Sequence, residues 1–233
     1  MSRNTRISAA LVGVFLAVIA VIAVAAGGEG DEQSASPTAA TPPTATAPAD
    51  EAPTNAPQVV ADDPRRLGQP GTSGVTFTEF LDFECEACAA AYPSIEELRR
   101  QYAGRVTFNI RYFPIESHQN ARNAALAVEA AAQQGKLEEM YQRMYETQST
   151  WGEQQSSKAA LFRGFAKGLK LNMREYDAAV ADPETAARVE RDAQAGQQLG
   201  VQGTPSFFIN EEKIEPQSFD DLREQLDAAI AAQ

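Results

Sequence analysis

Cys85-Glu86-Ala87-Cys88 holds the only two cysteines of the chain. It lies between an alternating apolar run, residues 75–83, and a helical pattern that opens at Cys85. Two thiols three residues apart make a poor scaffold. Closing so short a loop stabilises by only roughly 2 kcal/mol, against about 5 kcal/mol for a loop of about 100 residues. Zinc is poorly served too: structural sites want four ligands, no second cysteine pair follows, and His118 is the only histidine. The motif reads first as a redox dithiol, with a structural disulfide and a metal ligand pair as the alternatives.

Its placement supplies the chemistry. A cysteine at a helix start faces unpaired backbone N–H groups and the positive end of the helix dipole, which favours thiolate over thiol. Cys88 falls about one turn further in, within reach of a disulfide. Cys85 is then the attacking sulfur and Cys88 the buried one that resolves the bond.

Outward from the motif, residues 72–83 read as a strand with Val75, Phe77, Glu79, Leu81 and Phe83 on one face. Residues 85–102 read as a helix, with a kink expected at Pro93 and a stop at Gly104. Residues 106–113 form a second apolar strand, so this part is a parallel βαβ unit. Beyond Pro114 the pattern turns helical, with Ser117 as a cap for an Ala-rich helix over residues 120–134. Leu137, Met140 and Met144 mark the next helix, Leu161, Phe162 and Phe165 another, and Met173, Tyr176 and Val180 a further one. Asp182-Pro183 restarts the chain as a capped helix that runs to about Leu199. Strand character returns at residues 206–210 and at Lys213-Ile214, followed by a helix from Ser218. The order is βαβ, a helical block over about residues 117–198, then ββα.

The first part of the chain is of another kind. Residues 7–26 are an uninterrupted apolar stretch behind Arg3 and Arg6, long enough to cross a bilayer. Residues 1–28 are therefore expected to be a transmembrane anchor with its N-terminus in the cytoplasm. A signal peptide cleaved after Ala23-Val24-Ala25 is the alternative. Both readings export the rest of the chain, and the anchor ties it to the cytoplasmic membrane. Residues 29–68, rich in Pro, Ala and Thr, lack large apolar residues and are expected to be a disordered, partly extended tether. The folded domain is placed at 69–233. Setting aside Arg3 and Arg6, 18 basic residues face 32 acidic ones, a net of −14. Such a surface repels phosphate, which argues against nucleic acid as a partner.

These residues together resemble the thioredoxin superfamily, and within it the DsbA-like thiol–disulfide oxidoreductases. The resemblance rests on Cys85-x-x-Cys88 after the first strand, Gly203-Thr204-Pro205 before the third, Pro93 in the active-site helix, and the helical insertion. It implies an α/β thioredoxin fold, βαβ…ββα, with an inserted all-α domain, preceded by the anchor and linker. It further implies that Pro205 is cis beside the dithiol, and that Thr204 pairs with an extended substrate strand. A trans Pro205 ending a loop is the plain alternative.

Alternation buries Glu79, and burial raises a carboxyl pKa until it can pass a proton to or from Cys88. The resemblance places a buried acid at this position; a Glu79 that reaches solvent at a sheet edge is the competing expectation. His118 follows the second parallel strand, on the side where Cys85 starts its helix, and is a possible modulator; an exposed first-turn histidine is the simpler alternative. Trp151 is expected to pack within the helical block. Glu86-Ala87 departs from the Pro-His of strongly oxidising DsbA proteins. Glu84 and Glu86, taken as solvent-facing, are expected to raise the Cys85 pKa.

The expected activity is disulfide exchange with exported proteins, first of all as a disulfide donor, reset by a membrane redox partner. The cofactor requirement is none beyond the Cys85–Cys88 disulfide itself, and no metal is expected. A reductase or isomerase is the alternative enzyme, and a peptide-holding chaperone of the same fold the non-catalytic one.

Overall fold

The structure, a computed structural model, describes residues 58–233. The expected anchor at 1–28, and the linker as far as residue 57, lie outside the described residues. Among the described residues no helix is long and apolar enough to cross a membrane.

A short strand, β1 (Arg65–Leu67), comes first, then β2 (Thr76–Leu81), α1 (Glu86–Gln101) and β3 (Thr107–Tyr112). Five helices come next: α2 (Ala121–Ala132), α3 (Leu137–Thr147), α4 (Ala159–Gly168), α5 (Met173–Ala181) and α6 (Pro183–Gln198). The chain closes with β4 (Ser206–Ile209), β5 (Glu212–Ile214) and α7 (Phe219–Ala231). The sheet order is β1-β3-β2-β4-β5, with β2 and β3 parallel and the other pairs antiparallel. This is the expected βαβ, helical block and ββα.

Central strand β2 carries the site, and both of its faces are covered. Val75, Phe77, Leu81 and Phe83 pack with Leu98 of α1 and with Val128, Met140 and Tyr141 of the helical block. Phe80 points the other way and joins Phe113, Val201, Phe208 and Val59 in a second, smaller core. The alternation therefore sorts side chains between two cores and not between core and solvent, as expected of a parallel strand buried on both sides. Helix α6 lies over the second face so closely that a Cβ on Gly196 would come within 2.9 Å of both Phe80 and Phe113 ring carbons. Asp182 caps this helix through the Glu184 N–H at 2.9 Å, with Pro183 in its first turn.

Two expectations need correction. The linker does not extend to residue 68: Arg65–Leu67 pairs antiparallel with β3, and Val59 is fully buried. Charges hold this segment down. Arg111 donates to the Gln58 carbonyl at 2.6 Å, Arg65 binds the buried Glu129, and Arg188 binds Asp63. A hydropathy reading misses these ties because each falls on a backbone carbonyl or a polar side chain. Ser117 does not cap α2; Asn120 occupies the N-cap position. Pro93 lies inside α1, the helix expected to carry it.

Candidate active site

Cys85 is the N-cap residue of α1, in an extended conformation, and its carbonyl accepts the Ala89 N–H at 3.1 Å. The sulfur is therefore set at the open end of the helix, among N–H groups that have no carbonyl partner. Cys88 lies one turn in and is 1% exposed. Both cysteines are free thiols here, 3.7 Å apart. The chain returns to this point at the start of β4: Thr204-Pro205 is cis, and the Cys85 thiol donates to the Thr204 carbonyl at 3.3 Å. Thr204 Oγ1 is buried without a partner. It can donate to the sulfur once Cys85 loses its proton.

The two sulfurs are pushed apart in acidity. Hydrogen bonding with Cys88 holds the Cys85 thiol at about 5, against the cost of burial and helped by the Thr204 side chain and the N–H groups of Cys88 and Ala87. Burial pushes Cys88 well above the usual thiol range, with the hydrogen bond to Cys85 and the charge of Glu79 adding to it. One site therefore holds a thiol that ionises readily and a second that keeps its proton.

Glu79 is 2% exposed, between Ile110 of β3 and Phe207 of β4 in the sheet. Burial first, then the charges of Cys85 and Glu96, raise its carboxyl to about 8. Such a group holds its proton at neutral pH and sits where it can lose it. Glu84 was expected at the surface and is 2% exposed. Its carboxylate accepts the Asn120 N–H, and its carbonyl accepts from Gln148 Nε2 at 2.8 Å. It is an anchor between the cysteine turn and the helical block. Glu86 is exposed. With these two carboxylates nearby, the Cys85 thiol still lies below its ordinary range, held there chiefly by hydrogen bonding with Cys88, Thr204 and the helix start.

His118 is brought to the site through Asp82, with Nδ1 2.6 Å from Asp82 Oδ2. Asp82, Gln148 and Asn120 were not picked out in the sequence. Asp82 could have been: it is an acid at the carboxyl end of an apolar strand three residues before a cysteine. Trp151 is fully buried, edge-on to Phe162 at 4.8 Å, and belongs to the packing of the helical block. Beside Pro205, a cleft of about 310 Å³ is lined by Phe207, Lys213, Ile214 and Pro216 among others. No cluster of metal-ligating side chains occurs among the described residues.

The family model described as Thioredoxin matches residues 61–228. The chain belongs to the thioredoxin family. Solved structures of similar fold include DsbA-like proteins. A thioredoxin-like oxidoreductase from Silicibacter pomeroyi superimposes with a TM-score of 0.64 at 24% identity, covering 77% of this chain and 99% of that one. BdbD from Bacillus subtilis gives 0.63 at 21% identity, over 72% and 93%. Wolbachia pipientis alpha-DsbA1 gives 0.63 at 16% identity, over 74% and 93%. At these identities the likeness is one of fold.

Curated relatives of this chain are larger proteins. One described as Na(+)/H(+) antiporter NhaA 3, from Salinispora tropica, is 35% identical over 142 residues, 60% of this chain and 21% of the relative. Another described as Na(+)/H(+) antiporter NhaA 1, from Mycolicibacterium vanbaalenii, is 31% identical over 140 residues, 58% and 22%. The chain matches about a fifth of their length.

Proposed function

We propose that this protein is a thiol–disulfide oxidoreductase that works outside the cytoplasm as a donor of disulfides to exported proteins. The observation that carries the reading is the placement of the two sulfurs. Cys85 stands at the open N-terminus of α1, 3.3 Å from the Thr204 carbonyl, with Cys88 1% exposed one turn further in, an arrangement that lowers the pKa of the first thiol and raises that of the second. A thiolate stabilised in the reduced protein makes the reduced form the favoured one, and so makes the disulfide a stronger oxidant. That direction favours donor over reductase or isomerase. An intact dithiol of this acidity also argues for turnover over passive peptide holding.

In the forward reaction a substrate thiolate attacks the Cys85 sulfur of the Cys85–Cys88 disulfide. The bond between the cysteines breaks, and Cys88 leaves and takes up a proton, for which the neutral Glu79 carboxyl is the donor. A second substrate thiolate then attacks the substrate sulfur of the mixed disulfide, and Cys85 leaves as a thiolate. Substrate loses two electrons and the dithiol gains them. The substrate backbone is assigned to Thr204 and Pro205, which flank the reacting sulfur, so that recognition is mainly main-chain. The apolar run at residues 7–26 supports export and membrane tethering, with a membrane oxidant returning the dithiol to the disulfide.

The test is to mix the oxidised protein with a reduced, unfolded ribonuclease and follow disulfide formation and regain of activity. Stoichiometric oxidation, with multiple turnover when an oxidant is supplied, is expected. A protein that leaves the reduced substrate untouched, or that reduces its native disulfides instead, contradicts the reading.

A further inference from the structure

The turn that presents Cys85 and the turn after β3 are joined at one carboxylate. Asp82, at the end of β2, is 2% exposed. Its Oδ1 accepts the Glu84 N–H at 2.8 Å, and its Oδ2 accepts the Ile115 N–H at 2.9 Å. With two backbone donors already aimed at it, this carboxylate is an acceptor, so the 2.6 Å contact to His118 Nδ1 makes that nitrogen the donor. Nε2 is left facing away from Asp82, on a side chain that is 30% exposed, and it bonds to none of the described residues.

The charged and titratable groups acting on the ring come from three places. Asp82, Glu84 and Cys85 belong to the turn between β2 and α1, and Glu153 to the segment before α4. Glu116 is exposed on the ring's own turn. All of these are acidic. Partial burial works against the charged ring, but the Asp82 hydrogen bond and charge, then Cys85 and Glu84, raise its pKa above the usual histidine range.

We propose that His118 is a positioning residue for disulfide exchange: fixed by Asp82 as an imidazolium, it stabilises the negative charge on Cys85 when that sulfur leaves or attacks. The inference rests on the reading of the chain as a thiol–disulfide oxidoreductase. In the step that ends a cycle, the Cys85–substrate bond breaks and its electron pair stays on Cys85, while the new bond forms between the two substrate sulfurs. The imidazolium opposes the charge appearing on Cys85, and no proton passes between them. Of the two substrate thiol protons, one replaces the proton that Glu79 passes to Cys88 and the other ends in solvent. The hydrogen bonds at the helix start remain the larger influence on Cys85, so the histidine adds a modest increment.

Such a pairing is reciprocal: if His118 favours the thiolate, the thiolate favours the protonated ring. The chain has one histidine, so its ring signals can be followed by NMR in the full-length protein without ambiguity. Reduced protein, disulfide protein and Cys85→Ser should be titrated side by side. The protonation constant of the ring is expected to be about two- to fivefold larger in the reduced protein than in the other two, the range of an ion pair that keeps some solvent. Equal constants in all three overturn the inference. A second arm follows the Cys85 thiolate by its absorbance near 240 nm. His118→Asn should cut the thiolate constant by a similar factor and His118→Lys restore part of it, whereas a merely structural role would lower melting and leave the thiolate titration unmoved. If His118→Asn does not fold, the wild-type titration still decides. Normal protein oxidation without coupling removes this inference alone. Coupling without any protein oxidation upholds the pairing and removes the functional reading beneath it.

Discussion

The Cys85 sulfur lies 3.3 Å from the carbonyl oxygen of Thr204, across 119 residues of chain. The contact joins the start of α1 to the turn before β4, the two ends of the parallel and antiparallel halves of the sheet. The whole helical block is threaded between them, yet the reactive sulfur and its flanking backbone meet at one edge of the fold.

Because Cys85 faces that edge and Cys88 is buried behind it, the two serine variants should differ in kind. Cys85→Ser is expected to abolish exchange with the fold intact. Cys88→Ser should accumulate mixed disulfides through Cys85, visible as thiol-sensitive high-mass bands, since the resolving thiol is gone. Trapping by Cys85→Ser in place of Cys88→Ser would reverse the assigned roles.

Glu79 should make stability fall as pH rises. Below about pH 4.5 the carboxyl is protonated folded or unfolded; between there and about 8 only the folded state keeps its proton. The folded state binds more protons in that window, so its stability is lost as pH climbs and levels off above about 8. The low Cys85 pKa works in the opposite sense, so the useful measure is the difference between wild type and Glu79→Gln. Denaturant unfolding should show the variant gaining on wild type by a few kcal/mol between pH 5 and pH 9. A difference that does not change with pH would mean the carboxyl is not buried neutral.

Glu84 and Glu86 flank the same sulfur and should behave differently. Replacing Glu84 by Gln weakens a charge-assisted hydrogen bond to a buried N–H, at a cost of about 1–3 kcal/mol read in chemical denaturation. Glu86 is exposed, and Glu86→Gln should change the Cys85 thiolate constant by less than about twofold. A large effect at Glu86 would return control of the thiolate to the dipeptide between the cysteines.

On the other face, Asp192 is 1% exposed and serves Arg111, Arg188 and the Tyr112 N–H together. Asp192→Ala leaves both guanidinium groups without a buried counter-charge. A loss of about 3–5 kcal/mol is expected, with a melting temperature lower by on the order of 10 °C. Melting by circular dichroism checks it; an unchanged melting point would mean this cluster contributes nothing to seating α6 and the segment from Gln58.

The element order was readable in the chain because its signals are local: period-two runs at residues 75–83 and 106–113, helical stripes between them, and Asp182-Pro183 as a restart. The dithiol stood out by cysteine count, and Glu79 by sharing the strand face of Phe77 and Leu81. What escaped the sequence is non-local or polar. β1 has three residues, and the segment leading into it is held at Gln58 and Asp63 by arginines reaching from β3 and α6, which no window of hydropathy detects. Glu84 looked like a surface charge because its partner, the Asn120 N–H, lies 36 residues away. Asp82 as the hub for His118 is of the same kind: two turns adjacent in space, far apart in the chain.

The most direct test of the account is the reduction potential of the Cys85–Cys88 pair, read by equilibrating the protein in glutathione buffers and quantifying free thiol. An acidic Cys85 in a donor of disulfides predicts a value between about −180 and −120 mV. A value near −270 mV, where the dithiol is the reductant, would contradict it.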